Sequence, residues 1–185
     1  MLDFWFGRPA DPAYALPRAV WFRACAAFDR AVLDRCAALH ADAATGRLDG
    51  WASSPLGSLA LAILLDQAPR NLFRRSPRAY ATDTQALALA RTTVAAGFDR
   101  ELTAVQRWFV YLPFEHSERL EDQERALALF ASNADDPQRE NTLRFARRHH
   151  EIVARFGRFP HRNVVLGRPS TPEEEEFLKQ PGSAF

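Results

Sequence analysis

The sequence is poor in lysine, in cysteine and in long apolar runs, and each shortage narrows the range of function. Lys179 is the only lysine among 24 basic residues, a bias to which no role attaches. Basic residues nearly cancel the 23 acids, leaving a formal net charge of +1. So balanced a chain projects no global field toward nucleic acid or an anionic membrane, and neither is expected as a partner. The two cysteines, Cys25 and Cys36, would share a face on one helix about 16 Å apart, too far to bridge. They read as small buried apolar side chains in a reducing compartment. No CxxC or Cys/His spacing of zinc type occurs, so no metal is expected. Apolar runs such as Leu59 to Leu65 fall far short of the roughly 20 residues that span a bilayer. The N-terminal Met1-Leu2-Asp3-Phe4-Trp5-Phe6-Gly7 lacks the basic stretch of a secretory signal. The expectation is a soluble, cytoplasmic protein. Glycine-rich phosphate loops, nucleophile elbows and dinucleotide fingerprints are missing as well, and no cofactor is expected.

What is present is helical periodicity. The 185 residues are 47% hydrophobic, ample for one core, and a single domain over residues 1–185 is expected. Trp21, Cys25, Phe28, Val32, Cys36 and Leu39 step by three and four, which predicts a helix from about Arg18 to Ala44. A second, from about Leu56 to Ala68, is apolar nearly all round and so central, with Pro69 ending or kinking it. Further helices are predicted from Thr82-Asp83 to Ala96, from Arg100 to Leu112 before Pro113, from Glu115 to Ser132, and from Arg139 to Phe156 before Gly157. In the last of these, Phe145, His149, Ile152 and Phe156 form the inward stripe. A short seventh helix opens on Thr171 as N-cap, with Pro172 first and Glu174 third. Val164-Val165-Leu166 is too short to build a sheet. The fold class is therefore all-α, with about seven helices in antiparallel pairs.

Three segments stand out because an apolar stretch runs into a proline with ionisable side chains beside it. They are Leu64-Leu65-Asp66-Gln67-Ala68-Pro69-Arg70-Asn71, Tyr111-Leu112-Pro113-Phe114-Glu115-His116-Ser117 and Arg158-Phe159-Pro160-His161-Arg162-Asn163. Charges beside apolar helix ends are costly unless paired, so the three point to one assembled site. Asp66, near a helix C-terminus where the dipole disfavours an acid, needs a partner: Arg70, or an arginine of the third segment. Glu115 and Ser117 have local explanations at a helix start. His116 could instead be oriented as a base by Gln123 or Glu124. His149 faces the core, and three histidines with an acid could hold a metal, but nothing in their spacing requires it. Between Arg139 and Arg168 stand eight arginines against Glu140 and Glu151, a candidate anion site or a solvated face.

On these segments the chain resembles a bacterial family known as domain of unknown function nine hundred twenty-four. The residues that carry the likeness are Leu2 to Gly7, Leu65-Asp66-Gln67 with Pro69-Arg70-Asn71, Leu112 to Glu118, Arg155 to Asn163, and Pro181-Gly182-Ser183. The resemblance implies an all-α fold similar to tetratricopeptide-type helical arrays, and no activity. Two positions depart from the family pattern: Ala68, where an aromatic is usual, and Arg75, where glycine is usual. The first could open space beside Asp66, and the second adds charge near Arg74.

Three readings of the clusters are in competition. In the leading one Asp66, Gln67, Arg70, Asn71, Arg158, Arg162 and Asn163 line a polar cleft that binds an anionic small molecule or acidic peptide, since a guanidinium offers a rigid fork to carboxylate or phosphate. In the second, Glu115 with His116, or His161, performs acid/base chemistry on an anionic substrate. In the third the clusters only staple helices together. The sequence carries no signal of oligomeric state.

Overall fold

In the computed structural model, which describes residues 1–184, the regular structure of those residues is entirely helical. A short α1 (Leu2–Phe6) packs Trp5 and Phe6 into an aromatic nest with Trp21 and Phe109. The nest also delays the next helix. Predicted from Arg18, that helix begins only at Ala26, because Trp21 is drawn into the nest by a separate turn over Ala19–Trp21. Its ring meets Phe109 edge-on at 5.0 Å, and Arg18 fastens the turn by donating to the carbonyls of Phe4 and Trp5. Burial of a tryptophan outweighs continuation of the helix. α2 (Ala26–Ala44) then buries Phe28, Val32, Cys36, His40 and Ala43 along one stripe.

The central element is one continuous helical rod in three parts: α3 (Pro55–Ala62), a π-helical turn (Ile63–Gln67) and α4 (Ala68–Leu72). Every residue from Ser58 to Pro69 is buried. Pro69 does not end it. Proline lacks the N–H that would reach the Leu65 carbonyl and its ring crowds that carbonyl, and the widened turn absorbs the clash. The carbonyls around the bulge find other donors: His40 Nδ1 to Leu64 at 2.9 Å, Thr82 Oγ1 to Leu65, and Arg70 to Asp66. Each would cost about 1–3 kcal/mol if left unmet in the interior.

α5 (Asp83–Ala95) and α6 (Ala104–Glu115) come next, the latter opened by a reciprocal cap between Thr103 and Gln106. Here the structure corrects the expectation at Pro113. α6 runs through it to Glu115, and α7 begins only at Leu120, ending at Ser132. The proline lies in the last turn, where its missing donor affects the carbonyl of Phe109 alone, and burial of every side chain from Trp108 to Glu115 holds the turn. Glu115 therefore sits at a helix end, not at a helix start.

α8 (Arg139–Phe156) packs on α7, α7 on α6 and α6 on α5. Its inward stripe is Leu143, Ala146, His149, Ile152 and Val153, while Phe145 is turned to solvent. The short α9 (Pro172–Leu178) carries the Thr171–Glu174 capping box with Pro172 in its first position, as expected from the sequence. Ile152, Val153, Phe159 and Phe177 form a small second core. The polar site lies where that core meets the main one. No described helix is long and apolar enough to cross a membrane.

Candidate functional site

The bulge aims Asp66 into the interior, where it is fully buried. Its Oδ1 accepts from His116 Nδ1 at 2.7 Å, and its Oδ2 accepts from Gln67 Nε2 at 2.6 Å. Arg70, one turn along, stands 3.3 Å from Asp66 Oδ1 and makes a two-pronged contact with Asp83 at 2.9 and 3.0 Å. Burial alone would raise the Asp66 carboxyl, but Arg70 and His116 outweigh it and hold the group well below the usual carboxylate range. An ionised carboxylate only accepts, so Nδ1 of His116 carries the proton. The His116 ring is pushed below its ordinary range by burial and by Arg70, against the pull of Asp66. At neutral pH it is a neutral imidazole. The ring keeps 13% of its exposure, and its Nε2 makes no hydrogen bond among the described residues.

Arg162 enters from a turn over Pro160–Arg162. Its guanidinium is flanked by the rings of Phe159 at 4.4 Å and Tyr80 at 4.8 Å. One nitrogen donates to the His116 carbonyl at 3.0 Å and lies 3.7 Å from Asp83, while Nε is buried without a partner among the described residues. Burial and the like charge of Arg70 lower its pKa to about 10, so it stays charged near neutrality.

A second acid–imidazole pair lies beside the first. Oε1 of Glu115 approaches His149 Nδ1 to 3.0 Å, while that nitrogen donates to the Phe145 carbonyl of its own helix at 2.9 Å. Burial, and then the charge of Asp66, push Glu115 up to about 8, and burial together with His116 pushes His149 well below its ordinary value. The two are a neutral acid beside a neutral ring, despite their ion-pair distance. His149 stands edge-on to Phe159, and Phe159 touches the half-buried His161, whose pKa burial and Arg162 lower to about 4.

The structure thus gathers Asp66, Gln67, Arg70, His116 and Arg162, with Glu115 deeper and His161 toward the rim. It engages three other candidates elsewhere. Asn71 donates to Asp29 of α2 at 2.7 Å. Arg158 makes a two-pronged pair with Glu174 at 2.6 and 2.7 Å, and Asn163 bonds Ser170 and Glu174, so both fasten the loop to α9. The orienting group for His116 is Asp66; Gln123 instead donates to the carbonyls of Glu115 and Ser117, and Glu124 is exposed. Arg74 pairs with Asp29, and Arg75 adopts φ 60°, a left-handed backbone that explains why glycine suits this position.

Sequence reasoning missed four participants. Asp83 and Tyr80 flank the two arginines, and Glu118 accepts from Arg168 at 2.6 and 2.9 Å and from the Phe159 amide at 2.8 Å, anchoring the third segment. The signal for Glu118 was its place directly after Glu115-His116-Ser117. Among the described residues no group of three or more His, Cys, Asp or Glu converges as a metal site. Two surface cavities lie away from this cluster, one at Arg155, Arg158 and Glu173, the other between α5, α6 and α7.

Comparison with known proteins agrees with this frame. A family model described as a bacterial protein of unknown function (DUF924) matches residues 1–182. The chain is similar to the solved structure of a protein of unknown function from Agrobacterium tumefaciens, with 43% identity and a TM-score of 0.81 over 86% of this chain and 88% of that one. No curated protein matches.

Proposed function

From the premise that the chain belongs to the bacterial DUF924 family of unknown function, we propose that it binds a small anionic ligand, a carboxylate or phosphate or an acidic peptide end, on a helical array of the tetratricopeptide kind. The observation that carries this is the contrast between its two site arginines. Arg70 is saturated by Asp66 and Asp83, whereas Arg162, the more deeply buried of the two, makes one hydrogen bond and leaves Nε without an acceptor among the described residues. A buried guanidinium short of acceptors costs several kcal/mol, and an incoming oxyanion supplies what is missing. Its planar faces are already held by Tyr80 and Phe159, so little motion is lost on binding. His116 and His161 border the approach, where the open Nε2 of neutral His116 accepts from a protonated ligand oxygen or hydroxyl. Both cysteines are free, which supports a reducing cytoplasmic setting.

The test is a thermal-shift and calorimetric screen with acetate, inorganic phosphate, phosphate esters, nucleotides and acidic peptides. One class is expected to raise the melting temperature saturably in the wild type and not in Arg162→Gln. Identical responses of the two proteins to every hit would sink the proposal.

A second reading, acid/base chemistry, rests on the Asp66–His116 pair. A buried carboxylate fixes the tautomer and orientation of a partly open imidazole, leaving Nε2 to take a proton from a bound substrate. Glu115, protonated near neutrality, is a reserve acid behind it. If an identified ligand is turned over, the rate should rise with pH through the His116 titration, and His116→Gln should abolish it while still binding. Turnover unchanged in that variant would dispose of the chemistry and leave the binding.

A further inference from the structure

A cavity of about 390 Å³ lies between the end of α5, the turn over Phe98–Glu101, α6 and α7, apart from the site above. Arg100, Arg107 and Arg125 line it, with Asp99 the one acid among the lining residues. Three guanidiniums against one carboxylate leave two positive charges in excess. Arg107 is built into the wall: it donates to the carbonyls of Asp99 and Arg100 at 3.0 and 3.3 Å and to Asn133 Oδ1 at 3.2 Å. Those acceptors are neutral, so its charge stays uncompensated. Arg100 and Arg125 are exposed, and none of the three forms an ion pair among the described residues. Most arginines of the molecule's other polar clusters have a carboxylate in reach, as Arg70, Arg74, Arg158 and Arg168 do.

Asp99 supplies the second, independent observation. It is 6% exposed, its Oδ2 accepts from the Tyr111 hydroxyl at 2.8 Å, and its Oδ1 is buried with no partner among the described residues. Burial and the bond to Asp99 push the Tyr111 hydroxyl well above its ordinary value, so it remains the donor of that pair. Among the described residues Asp99 Oδ1 therefore lacks a donor while three arginines lack an anionic partner. Both deficits lie at one cavity of a size that holds a small metabolite.

We propose that this cavity binds a small hydroxylated phosphate monoester. Its dianionic phosphate would sit among Arg100, Arg107 and Arg125, and a hydroxyl would donate toward Asp99. A free phosphate meets the arginines but not the carboxylate, and a neutral polyol meets only the carboxylate. The two halves can therefore be separated in one titration.

Isothermal calorimetry on the full chain with glycerol 3-phosphate, inorganic phosphate and glycerol tests the assignment. The ester is expected to bind saturably and more tightly than inorganic phosphate, with no heat from glycerol. The double variant Arg100→Ala/Arg125→Ala, altering only exposed side chains, should keep the wild-type melting temperature and weaken ester binding by about tenfold or more, the loss of charge-assisted contacts. Arg162→Gln should retain the ester binding that Arg100→Ala/Arg125→Ala loses, which separates this site from any binding near His116. No saturable binding of the ester, or equal binding by the double variant, overturns the proposal.

Discussion

Two acid–imidazole pairs stand next to each other in this molecule, and they have settled into opposite states. Asp66 with His116 and Glu115 with His149 are both buried, with nitrogen–oxygen distances of 2.7 and 3.0 Å. Asp66 is an anion, because Arg70 lies one turn away and Gln67 covers its other oxygen. Glu115 has no such cation; burial first, and the charge of Asp66 after it, raise its pKa, so its proton stays on to about pH 8. Distance between acid and ring does not decide ionisation here; the third group does. One carboxylate thereby positions a histidine while its neighbour stores a proton.

The harshest way to break the contrast is to remove the anion. Asp66→Ala strands Arg70 and Arg162 near Asp83 alone, and loss of a buried partner of this kind costs about 3–5 kcal/mol. Urea unfolding should reveal it, and a loss below about 1 kcal/mol would mean the network is not structural. Next in size, Arg70→Met should make Asp66 resemble Glu115. Because the Asp66 pKa is depressed in the folded state, its stabilisation exists above the unfolded value near 4 and is lost as pH falls through the folded one. Without Arg70 that loss begins at higher pH, so the acid unfolding midpoint should rise, with about 2–4 kcal/mol lost at neutrality.

Glu115→Gln tests the other half, with the opposite sign. A raised carboxyl favours the folded state fully below its unfolded pKa of about 4, and this contribution is lost as pH climbs through about 8. The wild type should therefore weaken between those limits more steeply than Glu115→Gln, and the gap between the two should shift in the variant's favour by up to about 5 kcal/mol between about pH 4 and pH 9. Parallel stability curves would refute the neutral acid. The smallest effect is expected where water screens the partners: Arg74→Ala, which breaks a half-exposed pair with Asp29, should cost less than about 1 kcal/mol.

Much of the frame was legible in the sequence because it follows from periodicity and capping, as with the Val32-Cys36 stripe of α2 and the Thr171–Glu174 box of α9. The meeting of Asp66, Arg70, His116 and Arg162 was legible for a different reason: buried charge demands partners, and few were on offer. Pro113 misled because its cost for an isolated helix is outweighed by the packing of Leu112 and Phe114. Asp83 was hidden by its ordinary role as the first residue of a helix, which already explains an acid there. Glu118 and Arg168 pair across 50 positions, and no local pattern announces such a contact. Phe145 shows the limit of spacing alone: it fits the stripe by number yet faces solvent, while Ala146 takes the inner place.

The π-helical turn over Ile63–Gln67 is, in effect, one residue too many for the rod that contains it. Were a single residue deleted there, the hydrogen bonding could close into an ordinary helix, but everything on one side of the turn would rotate by about 100° against the other. Asp66 and Arg70 would then no longer share their bearing with the Leu59 side of the rod. The polar centre thus depends on chain length at one point as much as on the identity of any side chain, and insertions or deletions in this rod should be far less tolerated than substitutions.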